Sequence, residues 1–295
     1  MNCPSNKLKT VVSHYADKIS AIYPEKEAET VVWMMIEHFF GVNRMMLALN
    51  QDLLLNESEL LIIHDASKNI LQYVPIQYVI GKTDFCGLSF KVNTSTLIPR
   101  PETEQLTHLV IKALPRKPLR ILDIGTGTGC IAITLKKNRP DCKVFACDVS
   151  QEALQTAKEN AEKHNTTVHF FHCDILSEND WLSVPKIDIM VSNPPYVCLS
   201  EKSVMRPNVL LHEPETALFV VDENPLLFYK SIAKMAVDKL IDGGKLFFEI
   251  NERFGNEMAE LLRKFGFGNV VIEKDFHGKE RFAMGKWDVR CEEKE

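Results

Sequence analysis

The sequence predicts an α/β chain: a parallel sheet covered by helices on both faces, preceded by a small helical domain. Three observations carry this. After Pro118, short apolar runs alternate regularly with stretches of helical period. Several of those runs, such as Ile187-Asp188-Ile189-Met190-Val191, are nearly continuous, as in strands buried on both faces. Residues 1–72, by contrast, hold one glycine, Gly41, and two prolines, Pro4 and Pro24, with apolar residues at helical spacing. A chain of 295 residues has room for a domain of about 200 residues and a smaller one.

The helical domain is read from Val11, Val12, Tyr15, Ile19 and Ile22, then from Val31, Val32, Met35, Ile36 and Phe39. Asn56-Glu57-Ser58-Glu59 has the form of a capping box ahead of Leu60, Leu61, Ile63, Ala66 and Ile70. No cluster of catalytic residue types lies here, so partner recognition or a structural role is expected for residues 1–72. Residues 73–100 form a connector with a hairpin, its short strands read at Gln77-Tyr78-Val79-Ile80, Phe85 and Leu88-Ser89-Phe90-Lys91-Val92 with glycine turns. Pro101, Glu102 and Glu104 suit the first turn of a helix whose apolar face is Leu106, Leu109, Val110, Ala113 and Leu114. Helix initiation accounts for those charges; alternatively Arg100 and Glu102 line the mouth of a site.

In the domain at 101–295, strands are expected at 119–124, 143–148, 167–173, 186–192, 244–251, 269–275 and 281–286. Helices are expected near 129–137, 150–163, 225–241 and 253–265. Ligands of such sheets bind beyond the carboxyl ends of the strands. The chemistry-bearing motifs all fall at those ends.

Asp123-Ile124-Gly125-Thr126-Gly127-Thr128-Gly129-Cys130 follows the first strand and opens a helix. Its glycines permit a tight turn and close approach of a ligand to the backbone, and the helix start favours a negative group. A dinucleotide fingerprint would place its third glycine where this chain has Cys130. Asp148 ends the next strand, where a carboxylate can accept both ribose hydroxyls of a nucleoside ligand. Asp174 ends the third and can accept from the exocyclic amine of adenine, with Ile175 against the ring.

Ser192-Asn193-Pro194-Pro195-Tyr196 follows the fourth strand. Asn193 and Pro194 each precede a proline, which pushes both out of the helical region and leaves the backbone extended and stiff. Two successive positions lack an N–H, so carbonyl acceptors stand beside an amide and an aromatic ring. Such a site can accept both hydrogens of a planar –NH₂ group, Asn193 Oδ1 taking one and a proline carbonyl the other, with Tyr196 on the π face. The same run is also a good strand terminator. His169-x-x-His172-Cys173 looks like a ligand set, but three-residue spacing on a strand points the two rings to opposite faces, so no metal is expected.

Together these motifs resemble a class I, Rossmann-like S-adenosylmethionine-dependent methyltransferase of the amino-methylating kind. Adding Leu97-Ile98-Pro99-Arg100-Pro101-Glu102-Thr103-Glu104 narrows the resemblance to the HemK/PrmC family of protein-glutamine methyltransferases; Pro75-Ile76-Gln77-Tyr78 with Gly81, and Glu280-Arg281-Phe282, also fit. It implies that Asp123, Gly125, Thr126, Gly127, Thr128, Gly129 and Asp148 hold S-adenosylmethionine, with Asp174 or Ile175 at its adenine. It further implies that Asn193, Pro194, Pro195 and Tyr196 hold and activate the glutamine amide of the Gly-Gly-Gln loop of class I peptide-chain release factors. One departure is Leu211, where some members carry arginine two residues before the Glu-Pro matching Glu213-Pro214.

The net charge of −5 disfavours a protein that holds nucleic acid by its phosphates. No run approaches the ~20 apolar residues of a membrane span, and the N-terminus has no signal pattern. Eight cysteines without a Cys-x-x-Cys pair read as reduced thiols of a cytoplasmic protein. Two other readings stay open. One is a DNA or RNA amino-methyltransferase using the same pocket, which would need a basic recognition region. The other is a donor-binding translation accessory without catalysis.

Overall fold

The computed structural model describes residues 3–288. The chain divides into two compact units, Met1–Lys82 with Met205–His212, and Thr83–Val204 with Glu213–Glu295. Cys291 and the end of the 101–295 stretch lie outside the described residues.

The first unit contains α1 (Leu8–Ile19), α2 (Glu25–Phe40), α3 (Arg44–Leu49), α4 (Glu57–Leu71) and α5 (Ile76–Ile80). The apolar stripes read from the sequence meet in one core, with Leu8, Ile19, Val32, Ile36, Ile63 and Ile70 fully buried. The capping box forms at α4, Asn56 Oδ1 accepting from Glu59 N at 3.0 Å while Glu59 Oε2 accepts from Asn56 N at 2.7 Å. Gln77–Ile80 is helical, not a strand. Pro75 presets the entry to α5 and Gly81, at φ 70°, ends it in the left-handed conformation. Ile76 and Val79, three apart, share a face on the core; four apolar residues are too few to tell one period from the other. Arg206 pairs with Glu27 at 3.1 Å, and the His212 ring is 2.9 Å from the Gln72 carbonyl, which ties the Met205–His212 segment to this unit rather than to the one surrounding it in sequence.

The second unit begins with a hairpin, β1 (Lys82–Phe85) and β2 (Leu88–Lys91), turned by Cys86 and Gly87, both at positive φ. It continues through α6 (Pro101–Ala113), β3 (Arg120–Ile124), α7 (Cys130–Asn138), β4 (Lys143–Asp148), α8 (Gln151–Lys163), β5 (Val168–His172) and β6 (Ile187–Ser192). After β7 (Val197–Cys198) the chain passes through α9 (Pro207–Leu210), which belongs to the first unit, and the second unit resumes with β8 (Phe219–Val220), α10 (Leu227–Lys239), β9 (Leu240–Glu249), α11 (Gly255–Lys264), β10 (Gly268–Lys274) and β11 (Glu280–Lys286).

The seven strands of the main sheet lie in the order β10-β11-β9-β6-β3-β4-β5. β9, β6, β3, β4 and β5 are parallel, whereas β11 runs antiparallel to both β9 and β10. The parallel expectation therefore needs amending at its C-terminal edge, where a short turn at Gly278 leaves no room for a crossover. Alternate residues of each strand enter different cores. Leu122, Met190 and Phe248 pack with α10 and α11, while Ile121, Val191 and Phe247 pack with α6 and α7.

Register positions the site. Ile124 pairs with Cys147 on one side and Ser192 on the other, and Ser192 pairs with Phe248. Gly125, Asp148, Asn193 and Glu249 thus emerge one residue later along the same edge of the sheet.

Candidate active site

A cavity of about 460 Å³ lies beyond these strand ends. One wall is the glycine loop. Gly125 and Gly127 have φ of 71° and 53°, and a Cβ on either would meet nothing within 4 Å, so their backbone faces open space. Gly129 differs: at φ 79°, its Cβ would stand 3.0 Å from Ile133 Cδ1 and 3.1 Å from Ala157 Cβ, so it serves close helix packing. Gly125 N and Thr126 N both donate to the Cys147 carbonyl, at 2.9 and 3.0 Å, which fastens the loop to the end of β4. From α8, the buried Asn160 donates to the carbonyls of Thr128 and Lys91 at 2.9 and 3.0 Å and accepts from Lys91 N at 2.7 Å, joining loop to hairpin.

Asp148 lines the cavity and accepts from Gly127 N at 2.8 Å and Ser150 N at 2.9 Å. Burial pushes its carboxyl up from the usual range, and those N–H bonds oppose the shift. Asp174 and Ile175 line the same cavity. Asp123 does not: it is 0 % exposed beneath the loop, where Oδ2 accepts from the Thr126 hydroxyl at 2.6 Å and from Ala132 N at 3.3 Å. Its Oδ1 has no hydrogen-bond partner, and burial pushes this carboxyl up to about 7.

Another part of the lining is formed by Asn193, Pro194 and Pro195 with Pro99 and Thr103. Ser192 donates to the Ile124 carbonyl at 2.7 Å, locking the two strand ends together. Asn193 Nδ2 donates to Thr103 Oγ1 at 3.0 Å, and the Thr103 hydroxyl donates to Glu249 Oε2 at 2.7 Å. Tyr196 is not on the cavity wall. Its hydroxyl donates to Glu249 Oε1 at 2.9 Å, with the Arg281 guanidinium 6.0 Å from its ring centroid. Burial, then the Glu249 charge, raises the tyrosine's pKa, and burial raises that of Glu249. Asn251 Nδ2 holds the loop from below by donating to the Tyr196 carbonyl at 3.1 Å.

Arg100 and Glu102 also lie off the cavity wall. Arg100 Nη2 pairs with the buried Glu213 Oε1 at 2.5 Å, and Ile98 N donates to Glu213 Oε2 at 3.3 Å, so this pair clamps the segment that carries Pro99. Leu211, 62 % exposed, makes no part of that clamp. Glu249 has no part in the sequence reading, and Thr103 and Glu213 enter it only within quoted motifs, with no role assigned. An acid closing an apolar strand, the signal that found Asp148, is repeated in Leu246-Phe247-Phe248-Glu249. Among the described residues, no group of three or more His, Cys, Asp or Glu could hold a metal ion, and no helix is long and apolar enough to cross a membrane.

Residues 99–219 match the Methyltransferase small domain and residues 11–81 the PrmC N-terminal domain. The Release factor glutamine methyltransferase of Flavobacterium psychrophilum is 43 % identical over 278 residues, 93 % of this chain and 97 % of its own. The chain belongs to the release factor glutamine methyltransferase family. A second member of that family, from Bacteroides thetaiotaomicron, is 40 % identical over 274 residues, 93 % of this chain and 98 % of its own. At the level of fold, a methyltransferase from Pyrococcus furiosus superposes with a TM-score of 0.51 at 21 % identity, covering 76 % of this chain and 99 % of that one. Like other members of the family, the chain is an S-adenosylmethionine-dependent enzyme with a class I methyltransferase sheet.

Proposed function

We propose that the chain methylates the side-chain amide nitrogen of the glutamine in the Gly-Gly-Gln loop of class I peptide-chain release factors, and that the two cavity walls hold donor and acceptor. The observation that carries the acceptor half is the commitment of Asn193 Nδ2 to Thr103, which leaves Oδ1 as the end this amide offers the cavity. The curated relatives support a release factor substrate over a nucleic acid or a non-catalytic accessory.

The donor wall fits S-adenosylmethionine. The open face of Gly125 and Gly127 admits a ligand against the backbone, Asp148 stands where ribose hydroxyls can donate to its free lone pairs, and Asp174 and Ile175 serve the adenine end. When bound, the donor supplies a methyl group made electrophilic by a sulfonium.

A glutamine amide nitrogen is a poor nucleophile because its lone pair is shared with the carbonyl. Asn193 Oδ1 and the Pro194 carbonyl accept its two N–H groups, which aims the lone pair out of the amide plane and favours a pyramidal nitrogen. Pro195 keeps that backbone stiff. One N–C bond forms as the methyl–sulfur bond breaks with its electron pair left on sulfur, and the nitrogen then releases one proton. No base has to act first, because the nitrogen becomes strongly acidic only after transfer. Orientation and electrostatic stabilisation of the developing positive charge can each contribute several kcal/mol. Tyr196 acts as a support for the loop through Glu249, not as a stacking platform. Recognition of the factor falls to the helical unit, whose Met45, Met46, Leu49, Leu61 and Ile62 are exposed.

The test is incubation with S-adenosylmethionine and an unmodified class I release factor, followed by mass spectrometry of the Gly-Gly-Gln peptide. One methyl on that glutamine is expected, with slower transfer to an isolated Gly-Gly-Gln peptide. An unmodified glutamine in a properly folded factor, with an enzyme shown to bind the donor, refutes the proposal.

A further inference from the structure

We infer that Thr103 and Glu249 form a one-way hydrogen-bond relay that makes Asn193 an acceptor toward the cavity, and that both are positioning residues for methyl transfer. The inference rests on Asn193 receiving the glutamine amide, and it says what gives Asn193 the polarity that role requires.

The two ends of an asparagine amide have nearly the same shape, and only one can accept. A site that must hold two N–H groups of a substrate fails if the amide turns over. The direction here is set from the far end. Ionised Glu249 is acceptor-only, so the Thr103 and Tyr196 hydroxyls must both donate to it. With its single proton spent on Glu249, Thr103 has only lone pairs for Asn193, and Nδ2 has to face it. Oδ1 is then left for the cavity. The buried charge at the end of the chain also polarises each bond before it, increasing the negative character of Oδ1 where positive charge develops on the substrate nitrogen.

The relay has an off state. A proton on Glu249 Oε2 would be donated to Thr103, whose own hydrogen would then turn to Asn193 and favour the inverted amide. The groups facing Glu249 come from several elements: Arg281 of β11 favours its ionised form, Glu102 of α6 opposes it, the Tyr196 hydroxyl caps Oε1, and the Tyr229 hydroxyl of α10 donates to the Glu249 main-chain carbonyl at 3.0 Å. Burial is the largest influence and raises the carboxyl, so the ionised form is lost at a higher pH than for an exposed glutamate. Turnover therefore falls as pH drops through that raised value.

The experiment compares Thr103→Val, Thr103→Ser, Glu249→Gln and Asn193→Ala in the full-length protein. Donor affinity is measured by calorimetry, single-turnover rate on a Gly-Gly-Gln peptide is followed across pH, and the Asn193 side-chain NH₂ resonance is recorded with donor bound. Thr103→Val should keep donor affinity within about twofold while the rate falls about 30-fold, with Thr103→Ser restoring it to within about threefold. The protected NH₂ signal should vanish in Thr103→Val, and Glu249→Gln should abolish the acid limb of the rate profile. A Thr103→Val rate equal to the parent's, with Asn193→Ala inactive, overturns the relay and leaves the role of Asn193 standing. An active Asn193→Ala overturns that role itself. Loss of donor binding in Thr103→Val makes Thr103 merely structural and also refutes the relay; if Glu249→Gln does not fold, the two threonine variants decide.

Discussion

Asp123 and Glu249 each stand one threonine hydroxyl behind the lining of the same cavity, and they are held in different ways. Asp123 accepts from Thr126, three residues away, and from Ala132, all within one strand–loop–helix unit. Glu249 accepts from Thr103, 146 residues away, and from Tyr196, 53 residues away. One oxygen of Asp123 has no partner, whereas each oxygen of Glu249 has a donor. The glycine-loop side is thus a local device that the chain can build wherever it turns from strand to helix. The Asn193 side exists only once α6, β6 and β9 have come together.

The sharpest way to break that comparison is Asn193→Ala. It should reduce turnover by about 10²- to 10³-fold by removing an acceptor aimed at the reacting nitrogen, with donor affinity nearly unchanged in calorimetry. A large loss of donor affinity would mean that the walls are not separable. Asp148→Ala should do the reverse. Donor binding weakens about 10- to 100-fold as a charged hydrogen-bond acceptor is lost, while the rate at saturating donor changes little; an unchanged dissociation constant would remove Asp148 from the ribose site.

Asp123→Asn sharpens the contrast in the pH dependence of stability. The folded-state pKa of Asp123, about 7, lies above the ~3.9 of an unfolded aspartate. The folded state therefore binds the proton more tightly, and this group's contribution becomes more favourable as pH falls from about 7 toward 4. Thermal melts of the parent and Asp123→Asn should show the parent gaining relative stability from pH 8 to pH 5. A constant difference would mean that Asp123 does not titrate there.

The same contrast explains what could be read from the sequence. The glycine loop, Asp148 and Asn193-Pro194-Pro195 were legible because each is a short run whose conformation follows from its own residues. Helices and strands of the sheet fell within a few residues of their expected places for the same reason. Thr103 lies inside a recognised motif, yet its charged neighbours drew the reading, and its use depends on the strand register that brings Glu249 beside it. Arg100 invited a role at the mouth of the site because its partner, Glu213, is 113 residues away. The stretch from Val197 to Leu226 carries no sustained period, so its single turns and the β7–β8 pair left no pattern to read.

Ile124, Ser192 and Phe248 form one row across three strands, fixed by side-by-side pairing. Removing one residue from β6 ahead of Asn193 would slide the amide by about 3.3 Å and turn it to the opposite face of the sheet. No substitution elsewhere in the motif could restore its aim. The strand is therefore a ruler as well as a support: residue count between the start of β6 and Asn193 fixes where this amide stands as firmly as residue identity fixes what it is.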